Sequence, residues 1–235
     1  MTYLEWPRRV AALGQFHVEF PERPELARDD DHHLRRVLRA SDGEEVVVTN
    51  GRGSWALCRV HPVGVERVSD VALDPAIPET TLYLTPLKGD RAEWAVAKAT
   101  EVGVSRIVPL VSQRMVAKFK GETRDKTLTR WRRIAEEAAA QSRRTYDVVI
   151  GEPVKVLEVP ASVAVADFTG AGDWSGVTSV AIGPEGGWTS DEWDPGRRRV
   201  GLGPTVLRAE TAGVVAASLM AFAVGGWGFT LASAK

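Results

Sequence analysis

The chain is predicted to fold as an α/β protein preceded by a smaller β-rich domain, and three features of the sequence carry that prediction. From residue 81 onward, short apolar runs alternate with helical patterns, which argues a parallel sheet covered on both faces. Residues 1 to about 74 carry instead β-branched and aromatic runs around a hairpin signal. Between the two, "LDPAIPET" (73–80) sets two prolines in a polar stretch and reads as a linker, which divides the chain into 1–74 and 75–235. With 235 residues, 44% of them hydrophobic and 26% charged, there is ample material for a buried core.

In the first domain "DDDHHLRRVLRASDG" reads as a short helix closed by a Ser-Asp-Gly turn. "EEVVVTNGRGSWALCRV" follows as two strands with Asn50-Gly51 at their turn, Trp55 packing within the second. In the second domain "TLYLTPL" is a buried strand, and Asp90 with Glu93 three residues on reads as a capping box. Trp94, Ala97 and Val102 mark the apolar face of the helix that follows, and Gly103 ends it. "RIVPLV" is a strand, and "RDKTLTRWRRIAEEAAAQSRR" a long helix with Trp131, Ile134 and Ala138 on one side. Further strands are expected near 146–150, 163–168, 178–183 and 199–202, and a closing helix over 209–224. That helix is almost wholly apolar from Ala212 to Val224, so it needs cover all round, part of which a second subunit can supply.

Several classes are excluded. A net charge of −1 rules out a chain that is basic throughout, so any nucleic-acid face has to be local. The single cysteine, Cys58, allows no internal disulfide and no multi-cysteine zinc site, and fits a reducing compartment. The first residues lack the pattern of a secretory signal, and the apolar run 212–224 is too short to span a bilayer, so no membrane association and a cytoplasmic location are expected. His32 and His33 lack partners at ligand spacing, so no metal is expected.

Two glycine-bearing loops hold the chemistry. "SVAIGPEGGW" runs from a strand through Ile182 into Gly183, Pro184, Glu185, Gly186 and Gly187, and Thr189 with Glu192 reads as a capping box for a helix just beyond. More bare backbone than a turn requires implies that something lies against it, and amides at a helix start suit a flat or anionic group. The order G-P-E-G-G is neither a dinucleotide nor an ATP fingerprint, and no lysine follows to hold a phosphate. "VGLGPTVLRAETAGVV" repeats the character: strand, glycine, Gly-Pro, then helix, with Arg208, Glu210 and Thr211 at the helix entry. Two such loops side by side would form one pocket beyond the carboxyl ends of the strands.

"IGPEGGW", "LGPTVLRAETA", "KATEVGV" with "IVPLVSQR", and "RWRRIAEEAAAQSRR", in this order, resemble the RsmE family of SPOUT-class methyltransferases. The likeness covers essentially the whole chain; one departure is "QSRRTYDVVI", which lacks the proline that the family carries a few residues after Q-S-x-R. The resemblance implies a C-terminal SPOUT α/β trefoil-knot domain and an N-terminal PUA-like β-barrel domain. It implies S-adenosyl-L-methionine as cofactor, N3 of a uridine in 16S rRNA of the small ribosomal subunit as target, and a homodimer formed through the knotted domain. By the same likeness the cofactor contacts fall on Ile182, Gly183, Pro184, Glu185, Gly186, Gly187, Leu202, Gly203, Leu207 and Thr211; Trp188, by its place next to the first loop, is expected to line the pocket.

Uracil N3 is a poor nucleophile until its proton is lost, and a cation near O2 or O4 eases that loss. Arg208 is the first candidate and Arg114 the second. Glu210 either takes the proton or caps the final helix, where a carboxylate is favourable. Glu185 either holds its loop through backbone N–H groups or reaches a cofactor hydroxyl. From 114 to 147 ten basic side chains face five acidic ones, a surplus suited to phosphate. Lys118, Lys120, Arg124, Arg143 and Arg144 in that stretch, and Arg35, Arg36 and Arg39 on the N-terminal helix, are the expected RNA contacts. Two rivals remain: an RNA-binding assembly factor without catalysis, and a related knotted enzyme acting on a transfer RNA ribose. Intact loops with Arg208 and Glu210 oppose the first; the N-terminal β domain and "RAETA" oppose the second.

Overall fold

The computed structural model describes residues 5–117 and 119–225, and the chain divides into two compact units. One is Met1–Ala76 with Glu136–Asp147; the other is Ile77–Ala135 with Val148–Lys235. The break at Ala76 falls in the proline-bearing linker, but a single cut after residue 74 misses the return of Glu136–Asp147 to the first unit.

The first unit holds α1 (Glu5–Ala11), β1 (Gln15–His17), α2 (Arg28–His32) running into a π-helical turn (His33–Val37), β2 (Glu45–Thr49), β3 (Ser54–His61), β4 (Gly64–Arg67) and β5 (Ala72–Leu73). The sheet order is β1-β2-β3-β4 with β5 also on β3, parallel at β1/β2 and antiparallel elsewhere. The anticipated hairpin is β2–β3. Its side chains alternate: Val46, Val48, Ala56 and Cys58 pack with Phe16 and Leu34, while Val47, Trp55 and Leu57 pack with Ala12 on the other face.

The returning segment is bonded into this unit through Asp74. That carboxylate accepts from Arg9 Nη1 at 2.7 Å, Thr145 Oγ1 at 2.7 Å and Trp55 Nε1 at 2.9 Å, and Tyr146 Oη donates to the Asp74 carbonyl at 2.9 Å. Gly53 N donates to Thr145 O and Asp147 N to Gly51 O, at 2.8 and 2.9 Å. Gly51 and Gly53 have φ of +68° and +94°, and a Cβ on either would overlap Asp147 or Tyr146. No local pattern announces such a partnership.

The second unit holds β6 (Thr81–Leu84), α3 (Arg91–Glu101), β7 (Arg106–Val111), β8 (Val149–Ile150), β9 (Val154–Lys155), β10 (Ala164–Ala171), β11 (Ser179–Ile182), β12 (Arg199–Val200) and α5 (Ala209–Ala223). Helix α4 (Gly121–Gln141) begins in it, and its last residues belong to the first unit. The sheet is parallel throughout in the order β12-β10-β11-β6-β7-β8, with β9 beside β7. Leu82, Leu84, Ile107, Val180 and Ile182 pack with Ala95, Val96, Ala99, Trp131, Ala216 and Met220 of the helices. Leu110, Val165 and Ala181 pack with Val156 and Trp193 on the other face, as continuous apolar strands require.

Three local expectations are corrected. Asp90 makes no capping hydrogen bond, and Glu93 pairs with Arg130 of α4 at 2.6 Å instead. Trp94 is 47% exposed; the buried stripe of α3 is Ala92, Ala95, Val96 and Ala99, because small side chains let it lie close to α5. No helix follows the glycines after β11; residues 188–198 form turns.

Candidate active site

The two Gly-Pro loops do converge. A cavity of about 550 Å³ is walled by three chain segments: the middle of β10 and the loops that follow β11 and β12. Ile182, Gly183, Pro184, Glu185, Gly187 and Trp188 come from the first loop, and Leu202, Gly203 and the run Thr205–Ala209 with Ala212 from the second. Ala166, Asp167 and Phe168 come from β10, which lies between their strands. Gly187 and Gly203 have φ of +68° and +122°, so their turns need glycine. Ile182, Ala209 and Ala212 are buried and supply apolar lining.

Gly183 has a different reason to lack a side chain. A Cβ there would come within 2.9 Å of the Trp188 indole. That ring is held by its Nε1–H donating to Ala166 O at 3.2 Å and by edge-on contact with Trp193, centroids 5.1 Å apart. The Thr189/Glu192 pair also works differently from a helix cap. Glu192, 2% exposed, accepts from Thr189 N at 2.8 Å and from Gln113 N at 2.6 Å, so it joins the loop after β7 to the loop after β11. Gln113 Nε2 adds a bond to Asp191 at 3.1 Å, and hydrogen bonds from Thr189 and Gln113 hold the Asp191 carboxyl below the usual range.

Glu185 lines the cavity, and its carboxylate pairs with Arg91 at the start of α3, 3.2 Å away. Arg114 donates to Gly186 O at 3.1 Å and so supports the glycine loop from outside. Arg208 lines the cavity as the residue before α5. Gly186, Glu210, Thr211 and Arg114 are not among the lining residues. Glu210 stands in the first turn of α5, and its Oε2 is buried without a hydrogen-bond partner among the described residues. Asp167, Phe168, Thr205 and Val206 were not singled out from the sequence. A strand ending in "ADFTG" carries no signal until the strand order sets it between the two loops.

The expected RNA contacts separate into two groups. Arg36, Arg39 and Lys120 are exposed; Lys118 lies outside the described residues. Arg124 pairs with Asp125 at 2.9 Å, and Arg35 is bound by Asp31 at 3.2 Å and by the carbonyls of His61 and Gly64. Arg143 and Arg144 are turned inward: Arg143 donates to Ala12 O at 2.6 Å and Arg144 to Tyr146 O at 3.3 Å. Burial pushes both guanidiniums below their ordinary range, which marks them as fastenings of the returning segment. A cavity of about 630 Å³ in the first unit is lined by Glu19, Glu25 and Asp147 against Arg52 and His17, a charge balance unsuited to a polyanion.

A family described as "RNA methyltransferase domain" matches residues 75–221, and one described as "RNA methyltransferase PUA domain" matches 26–64. Ribosomal RNA small subunit methyltransferase E of Mycobacterium tuberculosis is 31% identical, over 85% of this chain and 86% of that protein. The protein of the same name from Bacillus subtilis is 28% identical, over 83% and 88%. Among solved structures, the Neisseria gonorrhoeae ribosomal RNA small subunit methyltransferase E bound to S-adenosyl methionine superposes with a TM-score of 0.72 at 25% identity, covering 89% of this chain and 97% of that one. Lpg2936 from Legionella pneumophila, in complex with the bound cofactor SAM, gives 0.76 at 26% identity over 89% and 97%.

Proposed function

Since the chain belongs to the ribosomal RNA small subunit methyltransferase E family, we propose that it transfers a methyl group from S-adenosylmethionine to N3 of a uridine in 16S rRNA of the small ribosomal subunit. The observation that carries this reading is the shared cavity of the two Gly-Pro loops with Arg208 in its wall. Its bare backbone offers N–H and C=O groups, and its buried Ile182, Ala209 and Ala212 offer apolar surface. Together these fit a cofactor with a flat base and a thioether-like chain.

The cofactor supplies an already activated methyl group when bound, so the protein's part is alignment, exclusion of water and management of charge. Glu192 and Arg114 hold the loops in place, through Gln113 N and Gly186 O. Arg208, with the positive end of α5 behind it, stabilises the negative charge that builds on the uracil oxygens as N3 gives up its proton. Arg114 is a positioning residue in this scheme, not the charge stabiliser. Replacing Arg208 by Ala lowers kcat about 10²–10³-fold, as loss of one such donor does, while S-adenosylmethionine binding measured by calorimetry stays within a few-fold.

The same reading makes the protein a cytoplasmic homodimer whose methyltransferase unit is threaded as a trefoil knot. Helix α5 supports a second subunit, because Val214, Val215 and Leu219 are only half buried and Phe222 is exposed. No helix of the described residues is long and apolar enough to cross a membrane. The decisive experiment is mass spectrometry of small-subunit RNA nucleosides from cells lacking the gene, with and without the purified protein and S-adenosylmethionine added. The 3-methyluridine is expected to disappear and to be restored; its persistence without the gene overturns the assignment.

A further inference from the structure

We propose that Phe168, aimed by a bulge in β10, is the stacking face that receives the target base at the mouth of the cavity. The inference rests on the methyltransferase reading above and names a residue for the acceptor side of that site. Strand β10 pairs with β12 at Val165↔Arg199 and Ala166↔Val200, and then Ala171 pairs with Val200 again. Residues 167–170 are therefore an excursion in which the partner strand does not advance. Such irregularities re-aim side chains beside functional sites.

The excursion is pinned at both ends. Asp167 accepts from Thr169 N at 2.8 Å, from Thr169 Oγ1 at 2.6 Å and from Arg199 Nη1 at 2.7 Å. Gly170 lies so close to β12 that a Cβ would fall on the Val200–Gly201 peptide. Between the pins stands Phe168, a cavity-lining residue that is nonetheless 79% exposed. Val206, on the second Gly-Pro loop, lines the same cavity and is also 79% exposed.

An apolar ring held out at a lip by fixed backbone awaits a flat partner. The buried lining under the loops suits the cofactor, whereas an acceptor base arriving from solvent has to pass the lip. A base that leaves its RNA stack loses stacking, and an aromatic side chain restores it with little regard to sequence. Arg208 in the same wall then meets the uracil oxygens while Phe168 meets the ring face.

The test compares Phe168→Ala, Phe168→Leu and Phe168→Tyr with the unaltered full chain. Each is read by calorimetry with S-adenosylmethionine, by single-turnover methyl transfer to small-subunit RNA, and by photocrosslinking of bromouridine-substituted RNA mapped by mass spectrometry. Because the side chain is exposed, all three variants keep the native circular dichroism. Phe168→Ala and Phe168→Leu are expected to lose about ten- to hundredfold in transfer, the range of one stacked base. Phe168→Tyr stays within about threefold, cofactor affinity stays within about twofold in all three, and the crosslink maps to the peptide holding Phe168. Full transfer by Phe168→Leu, a loss confined to cofactor affinity, or a crosslink only elsewhere overturns the proposal. Failure of the unaltered chain to label the RNA at all would instead overturn the methyltransferase reading beneath it.

Discussion

Cys58 illustrates what one residue's surroundings decide. It is fully enclosed between Val46 and its neighbours, and burial pushes its thiol from an ordinary 9.0 up to about 12, with Arg67 pulling weakly the other way. The neutral thiol is thus favoured by folding. Its contribution is intact below about pH 9 and is lost as pH rises toward about 12, because the unfolded chain ionises first. Urea titrations at about pH 8 and about pH 10.5 are expected to show the advantage of the unaltered chain over Cys58→Ala shrinking at the higher pH. Gly183 carries a related lesson. The sequence made its missing side chain a clearance for ligand, and the structure assigns the space to Trp188, which itself lines the cavity. Composition announces that a Cβ is unwelcome, but not which group excludes it.

At the scale of elements, spacing rules identified most strands and helices and failed where a side chain had a distant choice of partner. Glu93 and Glu192 both stand three residues after a capping candidate, yet Glu93 goes to Arg130, and Glu192 accepts from Thr189 N without any helix following and adds Gln113 N as a distant partner. For Glu192 the consequence reaches the site, since a buried carboxylate satisfied by two backbone N–H groups holds two loops together. Glu192→Ala strands both donors and is expected to cost about 1–3 kcal/mol of stability per unpaired group. Calorimetry should also find weaker S-adenosylmethionine binding, because the loop after β11 is no longer held. Helix α5 shows the other limit: its apolar composition was legible, but the sequence does not say that Ala212, Gly213, Ala216, Ala217 and Met220 face inward while Phe222 stays out.

At the scale of the molecule, the first unit closes only when residues 136–147 return to it. Asp74 gathers Arg9, Trp55 and Thr145, and Arg9 stacks over Trp55 with its Cζ 4.9 Å from the ring centre. Arg9 is 2% exposed, so its removal from a carboxylate leaves a charge buried without its counter-ion. Asp74→Ala is expected to destabilise the chain by about 3–5 kcal/mol, measured by urea unfolding, and Asp74→Asn by less because the amide keeps an acceptor. A change smaller than about 1 kcal/mol for the alanine variant would show that the cluster is dispensable. The linker at 73–80 marks where one unit ends, but a continuous cut cannot describe a unit made of two separated segments.

The sequence by itself determined most of the element types, the two glycine loops, the family and the arginine that enters the cavity wall ahead of α5, because these depend on residue chemistry and on spacing within a few turns. The tertiary structure alone decided that β10 enters between the loop-bearing strands and brings Phe168 to the cavity, that Glu185 pairs with Arg91, and that Arg143 and Arg144 face inward. Those outcomes are choices of partner among residues far apart in the chain, settled by which donors and surfaces the fold buries together.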